Sequence, residues 1–365
     1  MRLPRATVAG AIVLALLLGA GGSPASAGDR PVKMAVFPVQ NLSGGTVPAA
    51  DIRRVLVDRL SAAGIPLLDD EALEAFLMRH RVRYTAGIDQ ATAEALRLET
   101  GVDGVVFASV ELFSDLAPPK FAMTARLVSI TAAPVVIWAD DVGMAGDDAP
   151  GWLALGLVND AQVLLARALD RMAGSLLAHL TTGGAGQAVK AAAKFRPRMT
   201  YRRLSLEAGK PYSVAVVPFV NLSDRRNAGE ILALLFTRHL AAFPQFRLVE
   251  PGAVRRQLLD ARVIMEGGPS LNDANAVAAP VEADFVLGGR VLRYADYEGA
   301  EGSTGVEFSV VLIEQQSRRV VWSSSSSNEG RDGVLFFERG RSRTAHAMAT
   351  QMARLTAEQI AGQER

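Results

Sequence analysis

The sequence predicts an α/β (α+β) protein of two tandem mixed β-sheet domains packed by helices. Three observations carry that expectation. First, Ala35-Val36-Phe37-Pro38-Val39-Gln40-Asn41-Leu42-Ser43 returns as Ala215-Val216-Val217-Pro218-Phe219-Val220-Asn221-Leu222-Ser223, 180 positions later. A repeat at that distance marks two copies of one domain, because solenoid periods run about 20–50 residues. Second, the 365 residues fit two domains of ~100–200 residues each. Third, short apolar runs and helical patterns follow each motif in one order, β-α-β-α-α-β-β-β-α.

In the first copy, Val32 to Val39 is a near-continuous apolar run, the pattern of a central strand covered on both faces. Pro38 sits at its end, where a missing N–H does least harm. A turn-rich loop leads to a helix whose Ile52, Val55, Leu56 and Leu60 share a face, and Gly64 ends it. Ile65 to Leu68 is a short strand, and Asp69, Asp70 and Glu71 place acid where the next helix dipole favours it. That helix carries Leu73, Phe76, Leu77 and His80, and a third runs from Gln90 to Glu99. Strands Val105 to Phe113, Phe121 to Ile130 and Val135 to Val142 follow. In the middle one Phe121, Met123, Ala125 and Leu127 alternate with Thr124 and Arg126. An amphipathic helix closes the copy from about Pro150 to Leu180.

The second copy repeats this order. Val214 to Val220 is its first strand, Glu230 to Ala242 a helix and Phe246 to Val249 a strand. Helices Ala253 to Val263 and Asn272 to Ala279 follow, then Phe285 to Leu292, with Asp284 answering Asp103. Val306, Phe308, Val310 and Leu312 alternate, Trp322 answers Trp138, and a helix from about Leu335 to Ile360 closes the pattern.

Composition sets the class and the compartment. With 49% hydrophobic and 21% charged residues, each copy can bury a core. A net charge of +1 gives no argument for nucleic acid. The charge is uneven, however. Residues 28–182 carry 13 Lys/Arg against 19 Asp/Glu, residues 183–212 carry 7 against 1, and residues 213–365 carry 17 against 18. Arg2 and Arg5, the apolar stretch Val8 to Ala20 and Ala25-Ser26-Ala27 make an export signal cleaved after Ala27. The expected organisation is a signal peptide (1–27), a first domain (28–182), a basic flexible linker (183–212) and a second domain (213–365). Without cysteine, neither a disulfide framework nor a lipidated N-terminal cysteine can form. The mature chain has no apolar run long enough for a transmembrane helix, so the expected location is periplasmic, with a peripheral outer-membrane position as a variant.

The strand with V-x-P and N-L-S, the strands Asp103-Gly104-Val105-Val106-Phe107 and Asp284-Phe285-Val286-Leu287-Gly288, and the segment Arg343-Thr344-Ala345-His346-Ala347-Met348-Ala349 resemble one superfamily. It includes the N-terminal domain of TolB, the curli secretion protein CsgG and the lipoprotein activators of penicillin-binding proteins. The resemblance covers most of both copies and implies an envelope protein that works through protein contacts. A pore-forming role does not follow from it. The hairpin turns Ser114 to Lys120 and Ala295 to Gly305 lack the roughly 9–11 residues of apolar-out alternation that a membrane strand needs.

No residue pattern points to catalysis, a cofactor or a metal. His80, His179, His239 and His346 fall in helical segments with no second histidine within a turn. There is no G-x-S-x-G elbow and no cysteine nucleophile. Gly183 to Lys190 lacks the Gly-Lys-Ser/Thr of a phosphate loop and reads as linker. Asp140, Asp141, Asp147 and Asp148 match no calcium loop and read as solvated loop acids. The Asn-Leu-Ser triplets match a glycosylation sequon by letter but suit turn chemistry.

What stands out is the basic segment. Lys190, Lys194, Arg196, Arg198, Arg202 and Arg203 are interleaved with Phe195 and Tyr201, a candidate contact for an envelope protein, anionic lipid or cell-wall polymer. The expected function is a non-catalytic periplasmic adaptor or scaffold in an envelope assembly or transport complex. The alternatives are an outer-membrane export accessory, or a ligand- or glycan-binding protein with its site between the two domains.

Overall fold

The computed structural model describes residues 33–148, 157–183, 192–263, 271–296, 304–332 and 342–362. The signal peptide and Lys190 lie outside them. The first half contains β1 (Met34–Val36), β2 (Gln40–Asn41), α1 (Ala49–Ala62), α2 (Asp70–Arg79), α3 (Gln90–Thr100), β3 (Gly104–Ser114), β4 (Lys120–Ser129), β5 (Val135–Ala145) and α4 (Ala161–Thr182). Then come β6 (Met199–Arg202), β7 (Tyr212–Val216), β8 (Val220–Asn221), α5 (Ala228–Leu240), β9 (Phe246–Val249), α6 (Pro251–Asp260), α7 (Leu271–Ala278), β10 (Phe285–Ala295), β11 (Gly305–Glu314), β12 (Arg319–Glu329) and α8 (Ala345–Ile360).

Local chemistry sets many of these boundaries. Asp69 and Asp89 cap α2 and α3 by accepting the amides of Ala72 and Thr92 at 2.8 and 2.9 Å. In both copies the Asn of Asn-Leu-Ser accepts the Ser amide and hydroxyl, an Asx turn that holds the strand-to-helix corner. The expected starts of two helices, near Pro150 and Leu335, lie outside the described residues. α4 starts only after Asp160, whose carboxylate accepts the Gln162 amide, and α8 starts after Thr344, whose hydroxyl accepts the Ala347 amide. Ile65 to Leu68, expected as a strand, makes a single bridge from Leu67 to Met34.

The α/β class holds, and the strands of the two halves join in one 12-stranded mixed sheet. Its order is β1-β3-β4-β5-β9-β7-β10-β11-β12-β6, with β2 on β3 and β8 on β10. The halves meet where β5 runs antiparallel to β9 through Val135↔Val249 and Val136↔Leu248. β9, which follows the second copy's first helix as Ile65 to Leu68 follows α1, is a full strand and pairs parallel with β7 on its other side.

Helices α1 and α4 cover one side of the first half through Ile52, Leu56, Leu165 and Leu169. α2 and α3 cover the other, in a core continuous with α5 and α8 of the second half. α6 and α7 form a smaller core against Ala215, Val217 and Val286. α5 is apolar nearly all round and is buried nearly all round, as such a helix must be. It packs on β7, β9 and β10 of its own half and on β4 and β5 of the other.

The expected flexible linker is folded from Ala192 onward. Phe195 is buried in a short 3-10 turn, Leu204 is buried, and β6 pairs antiparallel with the serine-rich β12. Two buried apolar anchors and a strand ladder outweigh the charge of the segment. Register with β1, β2, β7 and β8 makes Glu111 the counterpart of Leu292. Glu111 is 1% exposed and Leu292 44%.

Candidate functional site

The halves also meet at a seam formed by the end of α2, the segment after it and the start of α6. α2 ends with Arg81 at φ 53°, the left-handed conformation that closes a Schellman motif. There Val82 N–H donates to the Leu77 carbonyl at 2.9 Å and Arg81 N–H to that of Met78 at 3.2 Å. The chain then crosses the start of α6, where Gly87 touches Gly252. A Cβ on Gly252 would stand 2.2 Å from the Ile88 nitrogen and 2.6 Å from the Gly87 carbonyl carbon. Behind this contact Arg126 of β4 donates to both carboxylate oxygens of Glu250, at 3.0 and 2.8 Å, and to the Ala86 carbonyl at 2.6 Å. Both side chains are buried.

Two adjoining cavities open at this seam. The smaller, about 250 Å³, is lined by Arg81, Arg83, Tyr84, Asp89, Arg255 and Arg256, among others. The larger, about 760 Å³, shares Asp89, Thr92 and Arg256 with it and continues past Pro134, Val135, Ser213, Arg247, Gln257 and Glu282. Arg255 lies over the Tyr84 ring at 4.4 Å, and Arg256 is held by Asp260 at 2.9 Å. Burial, with Glu230 nearby, pushes the Tyr84 hydroxyl up to about 12.

A second polar array lies between β3–β5 and the helices α5 and α8. His346 sits between Glu111 and Asp141, with its Nδ1 on Glu111 and its Nε2 3.2 Å from Asp141. Thr124 donates to Glu111 at 2.5 Å, and Arg238 reaches Asp140 and Asp141, each at 2.8 Å. Ser175 donates to Asp140 at 2.6 Å. Burial opposes charge on His346, but Glu111 and Asp141 outweigh it and raise the imidazole to about 10. Burial also opposes charge on Asp141, yet His346 and Arg238 hold it well below the carboxylate range. Next door, burial and Arg238 depress His239 to about 3, and its Nε2 meets the Thr350 hydroxyl at 2.7 Å.

The array corrects one expectation, since Asp140 and Asp141 are buried strand residues and not solvated loop acids. Acids that interrupt the apolar strands at Glu111, Asp140 and Asp141 were the available signal, because charged groups are buried only when paired. Nothing in the sequence named His346 as their partner, 235 positions from Glu111. No group of three or more candidate ligands positioned for a metal ion occurs among the described residues.

The basic segment is split by folding. Lys194 turns inward, half-buried, with its Nζ on the Asp332 carbonyl and over the Phe195 ring. Burial lowers its pKa, with Asp332 opposing. Arg196, Arg198, Arg202 and Arg203 are exposed around β6, beside Met199 and Tyr201 at 70% and 47% exposure. No described helix is long and apolar enough to cross a membrane.

No protein-family model and no curated protein matches the chain. Among solved structures, the PelC dodecamer from Paraburkholderia phytofirmans is 20% identical, over 44% of this chain and 95% of that one, at a TM-score of 0.31. Lipoprotein GNA1162 from Neisseria meningitidis is 19% identical over 40% and 99%, at 0.29. The LpoB C-terminal domain from Escherichia coli is 16% identical over 33% and 87%, at 0.27.

Proposed function

We propose that this protein is a non-catalytic adaptor of the cell envelope, exported by its N-terminal leader, and that β6 is its docking edge. The observation that carries the reading is β6 itself. It is the last strand of the sheet, all four of its residues are exposed, and arginines flank it on both sides. Edge strands accept added strands through main-chain hydrogen bonds, and side chains set the choice of partner. Arg196, Arg198, Arg202 and Arg203 favour an acidic extended segment, while Met199 and Tyr201 supply apolar contact. The groups that could do acid–base work around His346 are buried against one another, which supports a role without chemistry.

The test is photo-crosslinking in cells, with a benzophenone side chain at Tyr201 and, as control, at the exposed Leu116. Tyr201 is expected to capture a defined envelope protein through an acidic segment. Replacing Arg196, Arg198 and Arg203 with Glu should abolish the adduct. Equal yields at Tyr201 and Leu116, or an adduct indifferent to the charge reversal, would overturn the proposal.

A further inference from the structure

We propose that the seam between the halves binds a phosphorylated saccharide, with the phosphate in the small cavity and the sugar in the large one. The small cavity has four guanidiniums, Arg81, Arg83, Arg255 and Arg256, and one carboxylate, Asp89. That carboxylate already caps α3. Arg81 and Arg83 have no ion-pair partner among the described residues. Arg255 lies over the Tyr84 ring at 4.4 Å and Arg256 is paired with Asp260 at 2.9 Å, so each guanidinium already has a neighbour that favours one placement. Like charges gathered in a concave site raise the local potential and call for an anion. Guanidinium forks match phosphate oxygens in geometry as well as charge.

One further observation supports a built site. The cationic wall comes from both halves, which the Gly87–Gly252 contact and the buried Arg126–Glu250 pair join beside it. The sugar assignment rests on the adjoining cavity, whose volume suits a small molecule. It offers donors and acceptors from Ser213, Gln257 and Glu282 beside apolar Pro134, Val135 and Leu248. That mixture fits a polyhydroxylated ring, which has hydrogen-bonding rims and apolar faces. No residue of β6 takes part, so the proposal stands or falls separately from the docking edge.

The experiment is calorimetric titration of the full chain with glucose 1-phosphate, glucose and inorganic phosphate, alongside sedimentation with phosphatidylcholine vesicles doped with phosphatidic acid. Glucose 1-phosphate is expected to bind saturably and more tightly than inorganic phosphate, and glucose not to bind. Arg81→Gly combined with Arg83→Ser should weaken binding roughly tenfold or more without loss of thermal stability, since glycine suits the left-handed position. Arg262→Gly is the control, because it removes the matching left-handed arginine of the second half, away from both cavities. Its affinity should equal that of the parent. Binding unaffected by the Arg81/Arg83 change overturns the site, and parity of glucose 1-phosphate with inorganic phosphate overturns the sugar. Arginine-dependent vesicle binding without glucose 1-phosphate binding would assign the phosphate to a lipid headgroup and also overturn the saccharide.

Discussion

Arg126 of β4 and Glu250 at the start of α6 form a two-point ion pair that joins the halves out of contact with water, their side chains 3% and 0% exposed. Removing one member leaves the other charged and buried. Glu250→Ala or Arg126→Ala should therefore cost about 3–5 kcal/mol, read as a lowered urea midpoint. The double change Arg126→Met with Glu250→Leu should recover most of that loss. If the double variant is no more stable than the singles, the pair is not an isolated charge match.

Two histidines bracket the pH range of stability from opposite sides. The folded pKa of His346, about 10, lies above its unfolded value of 6.5. Its contribution is complete below pH 6.5 and is lost as pH rises through 10. His239, at about 3, is neutral when folded, so its contribution is present above 6.5 and is lost as pH falls toward 3. His346 is faced by Glu111 and Asp141, and His239 by Arg238 and Thr350. Chemical denaturation should give a maximum near pH 6.5. His346→Gln should flatten the alkaline limb and His239→Gln the acid limb. A His346→Gln profile parallel to that of the parent would contradict this assignment.

Three glycines should respond to alanine in opposite ways. Gly252→Ala drives a methyl into the backbone at Ile88 and Gly87, and Gly143→Ala places one 2.6 Å from the pinned His346 ring. Each should lose about 1–3 kcal/mol. Gly174, inside α4, has nothing within 4 Å of a new Cβ, so Gly174→Ala should gain roughly 0.5–1 kcal/mol. Thermal unfolding of the three variants separates these signs.

The element order was legible because hydrophobic period and caps are local signals. Asp69, Gly64 and the two Asn-Leu-Ser turns sit where the sequence placed them. The joining of the halves was not legible, since β5 and β9 share only the pairs at Val135 and Val136 and no periodicity marks them. The seam cavities were not legible for a related reason. Arg81 and Arg83 lie some 170 positions from Arg255 and Arg256, and each pair alone reads as a solvated surface. The basic segment is a feature of composition, and composition does not encode that Phe195 anchors it and draws Lys194 inward.

Glu111 and Leu292 occupy one ancestral position with inverted surroundings, a carboxylate sealed under His346 and a leucine facing water. Duplication has thus given the chain a polarity. The strands of the leading copy have come to depend on the helices of the trailing one, while the trailing copy has adapted the same surface to solvent. The copies are no longer interchangeable parts. A chain carrying them in reverse order would take the acids of the former leading copy away from His346 and Arg238, so the order of the copies is itself part of what the sequence encodes.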